Sequence, residues 1–115
     1  MSANDLQIIE LMITYCQRVA KRISHYQISE QVFTSNNAYA DMLLMPVFQI
    51  GELVNKLSDE CKDSFPEVPW YQIKGFRNVI AHDYGAVQPQ WAWRTLVVDI
   101  PALEKSLADV RQHLL

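Results

Sequence analysis

A chain of 115 residues, half of them apolar, is long enough for one domain around a single hydrophobic core and excludes a disordered polymer. Its net charge of −3, with no basic run, excludes a protein that grips nucleic acid over a wide surface, since phosphate neutralisation supplies that affinity. Any RNA contact must use a local basic patch, including one assembled across a dimer.

Several other negatives narrow the class. Cys16 and Cys61 are too few for a disulfide framework, and no Cys-x-x-Cys or His-x-x-x-His spacing marks a metal site. No apolar run approaches the roughly 20 residues of a membrane span, and the start Met-Ser-Ala-Asn-Asp lacks a basic-then-apolar leader. The expectation is a reduced, cytoplasmic protein with no membrane contact.

The apolar periodicity predicts four main helices and no strand. The first covers residues 4–26, capped by Ser2 or Asn4, with Ile9, Met12, Ile13, Cys16, Val19, Ala20 and Ile23 in one stripe. Arg18, Lys21 and Arg22 lie near its C-terminal end, where cations complement the helix dipole. They read as a solvated face that can also attract RNA or an acidic partner. A single extra turn at 29–33 is capped by Ser29. The second long helix is expected from just after Ser35 or Asn36 to Cys61. Pro46 inside it removes one hydrogen bond and should kink it, at about 3 kcal/mol unless packing compensates. Gly51 is a second weak point, by about 1 kcal/mol relative to alanine, and permits another helix to approach closely.

Phe65-Pro66-Glu67-Val68-Pro69 is a rigid loop, and Pro69 suits the first turn of a third helix. That helix carries Trp70, Ile73, Phe76 and the segment Arg77 to Tyr84, with Gly85 as its C-cap. The fourth starts near Pro89 and carries Trp91, Leu96 and Val97. It kinks or restarts at Asp99-Ile100-Pro101, then continues through Leu103, Leu107, Val110 and Leu114. Short connections make neighbours antiparallel. The expected fold is a single all-α domain over 1–115: an up-and-down four-helix bundle with one extra short helix and kinks at Pro46 and Pro101. Trp70, Trp91 and Trp93 are expected as core and interface anchors, and His25 and His113 as solvated or capping groups.

Arg77-Asn78-Val79-Ile80-Ala81-His82-Asp83-Tyr84 concentrates the chemistry. Arginine offers phosphate a planar fork of donors, and histidine moves protons near neutral pH. Together they are the minimum equipment for cleaving a phosphodiester without a metal. If the helix runs through the whole segment, Asn78 and His82 share one ridge and Arg77 and Tyr84 another, within about 20°. Asn78 can then hold one ring nitrogen of His82. The negative end of the helix disfavours phosphate, so Arg77 must supply the attraction. One chain gives one Arg and one His; a symmetric dimer gives two of each, which is a reason to expect a homodimer. Other uses stay open: Arg77 paired with Glu52 or Asp83, His82 as a cap, Tyr84 as a surface residue. Glu52, one position after Gly51, can reach the motif helix as a partner of Arg77 or Lys74.

Gln49-Ile50-Gly51-Glu52-Leu53, Leu57-Ser58, Val68-Pro69-Trp70, Ile73 to Asn78, His82 to Gly85, Trp91 and Pro101-Ala102-Leu103 occur in order. This set resembles the HepT family of HEPN domains over nearly the whole chain. The resemblance implies a small helical homodimer acting as the toxin of a toxin–antitoxin pair. Its implied activity is metal-independent RNA endonuclease action, with no cofactor and no DNA substrate, leaving a cyclic phosphate. It implies Arg77 and His82 as catalytic residues; helix position, not the resemblance, adds Asn78 and Glu52 as supporting ones. It also implies Tyr84 as the site of AMPylation by an MntA-like minimal nucleotidyltransferase. The alternative it leaves is a non-catalytic dimeric module that binds such a nucleotidyltransferase.

Overall fold

The computed structural model describes residues 3–115. Helix α1 (Ala3–His25) buries Ile8, Ile9, Met12, Ile13, Cys16 and Val19 together with Asp5. Asn4 lies inside its first turn rather than capping it, and Ser2 falls outside the described residues. The helix closes in a Schellman arrangement. Ile28 N–H donates to the Ile23 carbonyl at 3.0 Å and Gln27 N–H to that of Ser24 at 3.3 Å. Gln27 takes the left-handed position, φ 52°, that glycine usually fills.

Helix α2 (Glu30–Ser35) is the extra short helix, with Ser29 Oγ accepting from Val32 N–H at 3.2 Å. Helix α3 (Asn37–Val54) starts on the side chain of Asn36, which accepts from Ala38 N–H at 2.9 Å. It runs through the buried Pro46. A proline there cannot donate to the carbonyl four residues back, that of Met42. Arg22 Nη1 of α1 fills the vacancy, donating to Met42 O at 2.5 Å. One member of the expected solvated basic face is thus a tether between α1 and α3. A second, Arg18, lies 4.8 Å over the Tyr15 ring.

The expected continuation of this helix to Cys61 does not occur: α3 ends at Val54. The buried Asp5 accepts from Ser58 N–H at 3.0 Å and Ser58 Oγ–H at 2.7 Å. Ser58 Oγ in turn accepts from Cys61 N–H at 3.1 Å and starts α4 (Asp59–Ser64). The break is fixed by a carboxylate 53 residues away in sequence.

Helix α5 (Trp70–His82) follows a loop locked by its own first residue. The Trp70 indole N–H donates to Phe65 O at 3.0 Å and Lys62 O at 3.2 Å. Pro69 flanks the helix rather than opening it. The expected Gly85 cap is also corrected. Asp83 leaves the helix at φ −153°, and Tyr84–Ala86 form a separate 3₁₀ turn in which Gly85 has no positive φ.

Helix α6 (Pro89–Arg94), a π turn (Thr95–Asp99) and α7 (Ile100–Leu114) form one continuous run. Ile100 N–H reaches back five residues to Thr95 O. The irregularity expected at Pro101 takes this form, a wider turn placed just before a residue with no N–H.

The long elements are those of an all-α up-and-down bundle, with no strand among the described residues. α1 packs between α3 and α7, and α5 packs on the other side of α3. α5 and the last run are separated by a cleft of about 330 Å³ lined by Val47, Ile73, Phe76, Thr95, Ile100 and Leu103, among others. Cys16 and Cys61 are free and buried. Burial pushes the Cys16 thiol up to about 12. Among the described residues no helix is long and apolar enough to cross a membrane.

Candidate active site

The site is built where α3 and α5 touch. A Cβ on Gly51 would lie 2.3 Å from Arg77 Cβ and 2.7 Å from its Cγ, so only glycine permits this approach. The contact aims Arg77 along α3. Its Nε pairs with Glu52 Oε1, its Nη1 donates to Asn78 Oδ1 at 3.1 Å, and its guanidinium carbon lies 5.2 Å from the centre of the Phe48 ring. The side chain retains 21 % of its exposure. Three partners therefore fix a cation that still meets solvent.

This corrects the expected Asn78–His82 bond, because the Asn78 oxygen is given to Arg77. His82 is exposed and its side chain makes no hydrogen bond among the described residues. At about 100° per residue, the five positions from Arg77 turn His82 about 140° around the helix. Arg77 lies against α3, whereas His82 faces outward. A single chain does not bring them together.

Tyr84 does not share a helical ridge with Arg77, because the helix ends before it. Its hydroxyl donates to Asp41 Oδ1 on α3, and the residue is 42 % exposed. Partial burial, then the bond to Asp41 and its charge, push the phenol up to about 12. Glu52 and Asp41, the α3 partners of Arg77 and Tyr84, are eleven residues apart. That is about 16 Å along a helix axis. A cavity of about 400 Å³ lined by Asp41, Leu44, Met45, Phe48, Ile80 and Tyr84 lies between α3 and the end of α5.

Asp41 is the residue that sequence reasoning missed. The available signal was its spacing: eleven residues before Glu52 is three helical turns, which puts both acids on one ridge. Glu52 pairs with Arg77, as one reading allowed. Trp70 is a core anchor, and Trp93 packs against Phe33 with ring centres 5.5 Å apart. Trp91 is not a core residue, being 76 % exposed. His113 Nδ1 lies 2.9 Å from the Asp109 carbonyl, and the His25 ring meets Tyr26 edge-on. Among the described residues no three His, Cys, Asp or Glu side chains gather as a metal-binding group.

A family model described as Ribonuclease HepT-like matches residues 7–110. The chain belongs to the HepT-like ribonuclease family. The match runs from α1 into α7 and includes all of α5, so the Arg77-x4-His82 helix lies within it. It bears out the resemblance carried by the motif set. Among its relatives in the curated proteins, "Putative RNase TTE0752" of Caldanaerobacter subterraneus subsp. tengcongensis is 28 % identical over 104 residues, 90 % of this chain and 91 % of that one. "Putative RNase MJ1380" of Methanocaldococcus jannaschii is 26 % identical over 78 residues, 68 % of this chain and 72 % of that one. "Probable ribonuclease HepT" of Thermococcus cleftensis is 30 % identical over 63 residues, 55 % of this chain and 57 % of that one. No solved structure matches the chain at a significant level.

Proposed function

We propose that this HepT-like chain is an endoribonuclease that works without a metal as a homodimer. We further propose that it is the toxin of a pair whose antitoxin is an MntA-like minimal nucleotidyltransferase. The observation that carries this reading is the state of α5: it buries only Trp70, so its cation and imidazole lie on accessible surface. The separation of Arg77 and His82 within one protomer calls for a second copy. The exposed Val79, Trp91 and Val98 offer apolar area for that copy to cover.

In the proposed reaction the RNA 2′-hydroxyl attacks the adjacent phosphorus. One His82 takes the hydroxyl proton. Arg77 stabilises the charge on the phosphoryl oxygens through Nη2, since Nε and Nη1 are engaged. The P–O5′ bond breaks, and the protonated His82 of the other copy gives its proton to O5′. The products are a 2′,3′-cyclic phosphate and a 5′-hydroxyl. AMPylation joins the Tyr84 oxygen to the α-phosphorus of ATP as pyrophosphate leaves and the phenol proton passes to the Asp41 carboxylate that it already faces. The accessible phenol would then carry an anionic nucleotide at the mouth of the cavity between Tyr84 and Phe48, which blocks the approach of RNA.

A specific observation favours a second reading, a non-catalytic dimeric module for the nucleotidyltransferase: Glu52 already neutralises Arg77. RNA cleavage by the purified chain in EDTA decides between them. The first reading expects cleavage that is lost in both Arg77→Ala and His82→Ala, with matching loss of toxicity on induced expression. A harmless wild-type chain that cuts nothing supports the module. Mass spectrometry after co-expression with an MntA-like nucleotidyltransferase tests Tyr84 for added AMP, and Tyr84→Phe should abolish the adduct.

A further inference from the structure

We propose that the cavity between α3 and the end of α5 is a nucleobase site that selects bases carrying an exocyclic amino group. The proposal rests on the endoribonuclease reading for its biological ligand, RNA. Its physical basis is separate. Leu44, Met45, Phe48 and Ile80 supply apolar walls for a flat ring, in a space of about 400 Å³. Sites for small ligands share this design, apolar walls with a few placed polar groups. Phe48 is also the ring beneath the Arg77 guanidinium. One end of the cavity therefore adjoins the cation that would hold a phosphate, and the base of the same nucleotide can enter beside it.

The other end of the cavity carries the selectivity. Asp41 uses Oδ1 to accept from the Tyr84 hydroxyl. A carboxylate has a second oxygen with its own lone pairs, and no partner for Asp41 Oδ2 occurs among the described residues. The Tyr84 phenol, pushed up to about 12, stays protonated at neutral pH and keeps Oδ1 occupied. Asp41 thus presents acceptor sites and no donor, with Oδ2 the unoccupied oxygen. The amino groups of cytosine, adenine and guanine can donate to it. Uracil has no amino group, and its one imino donor is flanked by two carbonyl oxygens, which a carboxylate repels. Asparagine at the same position could instead donate to a uracil oxygen, so one substitution should change the preference.

The test is binding of the 5′-monophosphates of adenosine, cytidine and uridine to the full chain, followed through the methyl resonance of Met45 and by calorimetry. Adenosine and cytidine monophosphates should bind about fivefold more tightly than uridine monophosphate. Asp41→Asn should erase or reverse that order, and its circular dichroism reports whether it folds. Met45→Trp, at a residue 54 % exposed on the cavity wall, should weaken all three without disturbing the core. Equal binding of all three nucleotides overturns the proposal. So does an unchanged order in Asp41→Asn, or binding that leaves Met45 unmoved and survives Met45→Trp. Because none of these measurements requires cleavage, the two readings fail separately. Selective binding without RNA cleavage removes the enzyme and keeps the site. Cleavage with no selective binding removes the site and keeps the enzyme.

Discussion

α1 and α5 both lie against α3, yet they spend their residues in opposite ways. α1 buries seven side chains, including a carboxylate satisfied internally by Ser58. α5 buries one, Trp70. Its other attachments include the half-buried Ile73, Phe76 and Ile80, the Gly51–Arg77 approach and, just beyond its end, the Tyr84–Asp41 bond. The difference teaches where stability and chemistry reside. A helix that gives a whole stripe of side chains to the core serves stability first. One pinned at its start, middle and end can display a histidine without depending on it for its fold.

The sharpest test of that division is His82→Ala. Loss of a proton-transfer group should lower RNA cleavage about 10²- to 10⁴-fold. His82 is exposed and its side chain makes no hydrogen bond among the described residues, so the melting temperature should stay within a few degrees. A melting temperature that falls steeply in this variant would break the comparison. The converse is Met12→Ala in α1, at a side chain with 0 % exposure. It should destabilise the fold by about 2–5 kcal/mol in a denaturant melt. Its cleavage rate per folded molecule should match the wild type well below the melting range.

Gly51→Ala sits on the boundary between the two regions. Its new methyl group would meet the first carbons of Arg77, not the flexible tip, so the α3–α5 contact must open. The expected cost is about 1–3 kcal/mol. Cleavage should fall as well, because Arg77 leaves its place beside Glu52 and Phe48. Stability lost with activity intact would show that Arg77 does not need this placement.

Local pattern made much of this legible. The stripe from Ile9 to Ile23 located α1, Ser29 and Asn36 marked two helix starts, and Gly51 announced a close approach that Arg77 occupies. Non-local contacts supplied the rest. Nothing in Asn55-Lys56-Leu57-Ser58 forbids a helix, and only Asp5 of α1 draws Ser58 out of it. The segment Ala81 to Gly85 reads as the end of one helix, and only the bond to Asp41 shows Tyr84 turned away to a different part of α3. The Arg77–Tyr84 ridge of the motif failed for that reason. It assumed two more helical residues than the chain supplies.

The smallest expected effect concerns Pro46, the one feature of α3 that breaks a local rule. The Met42 carbonyl, deprived of its helical donor, accepts from Arg22 instead. The two residues should therefore be coupled. Arg22→Met keeps the apolar stem and removes the donor; in the wild-type background it should cost about 1.5–3 kcal/mol, as for hydrogen bonds to charged groups. Pro46→Ala restores an N–H that can reach the Met42 carbonyl along the helix. In that background Arg22→Met should cost about 1 kcal/mol less, a departure from additivity larger than the 0.3–0.5 kcal/mol typical of independent sites. Denaturant melts of the wild type, both single variants and the double variant close the cycle. Strict additivity would mean that Arg22 and Pro46 are neighbours by coincidence. Coupling would mean that α1 repairs α3 from outside, and that the helix bearing Asp41 and Glu52 owes part of its course to a guanidinium on the stable side of the molecule.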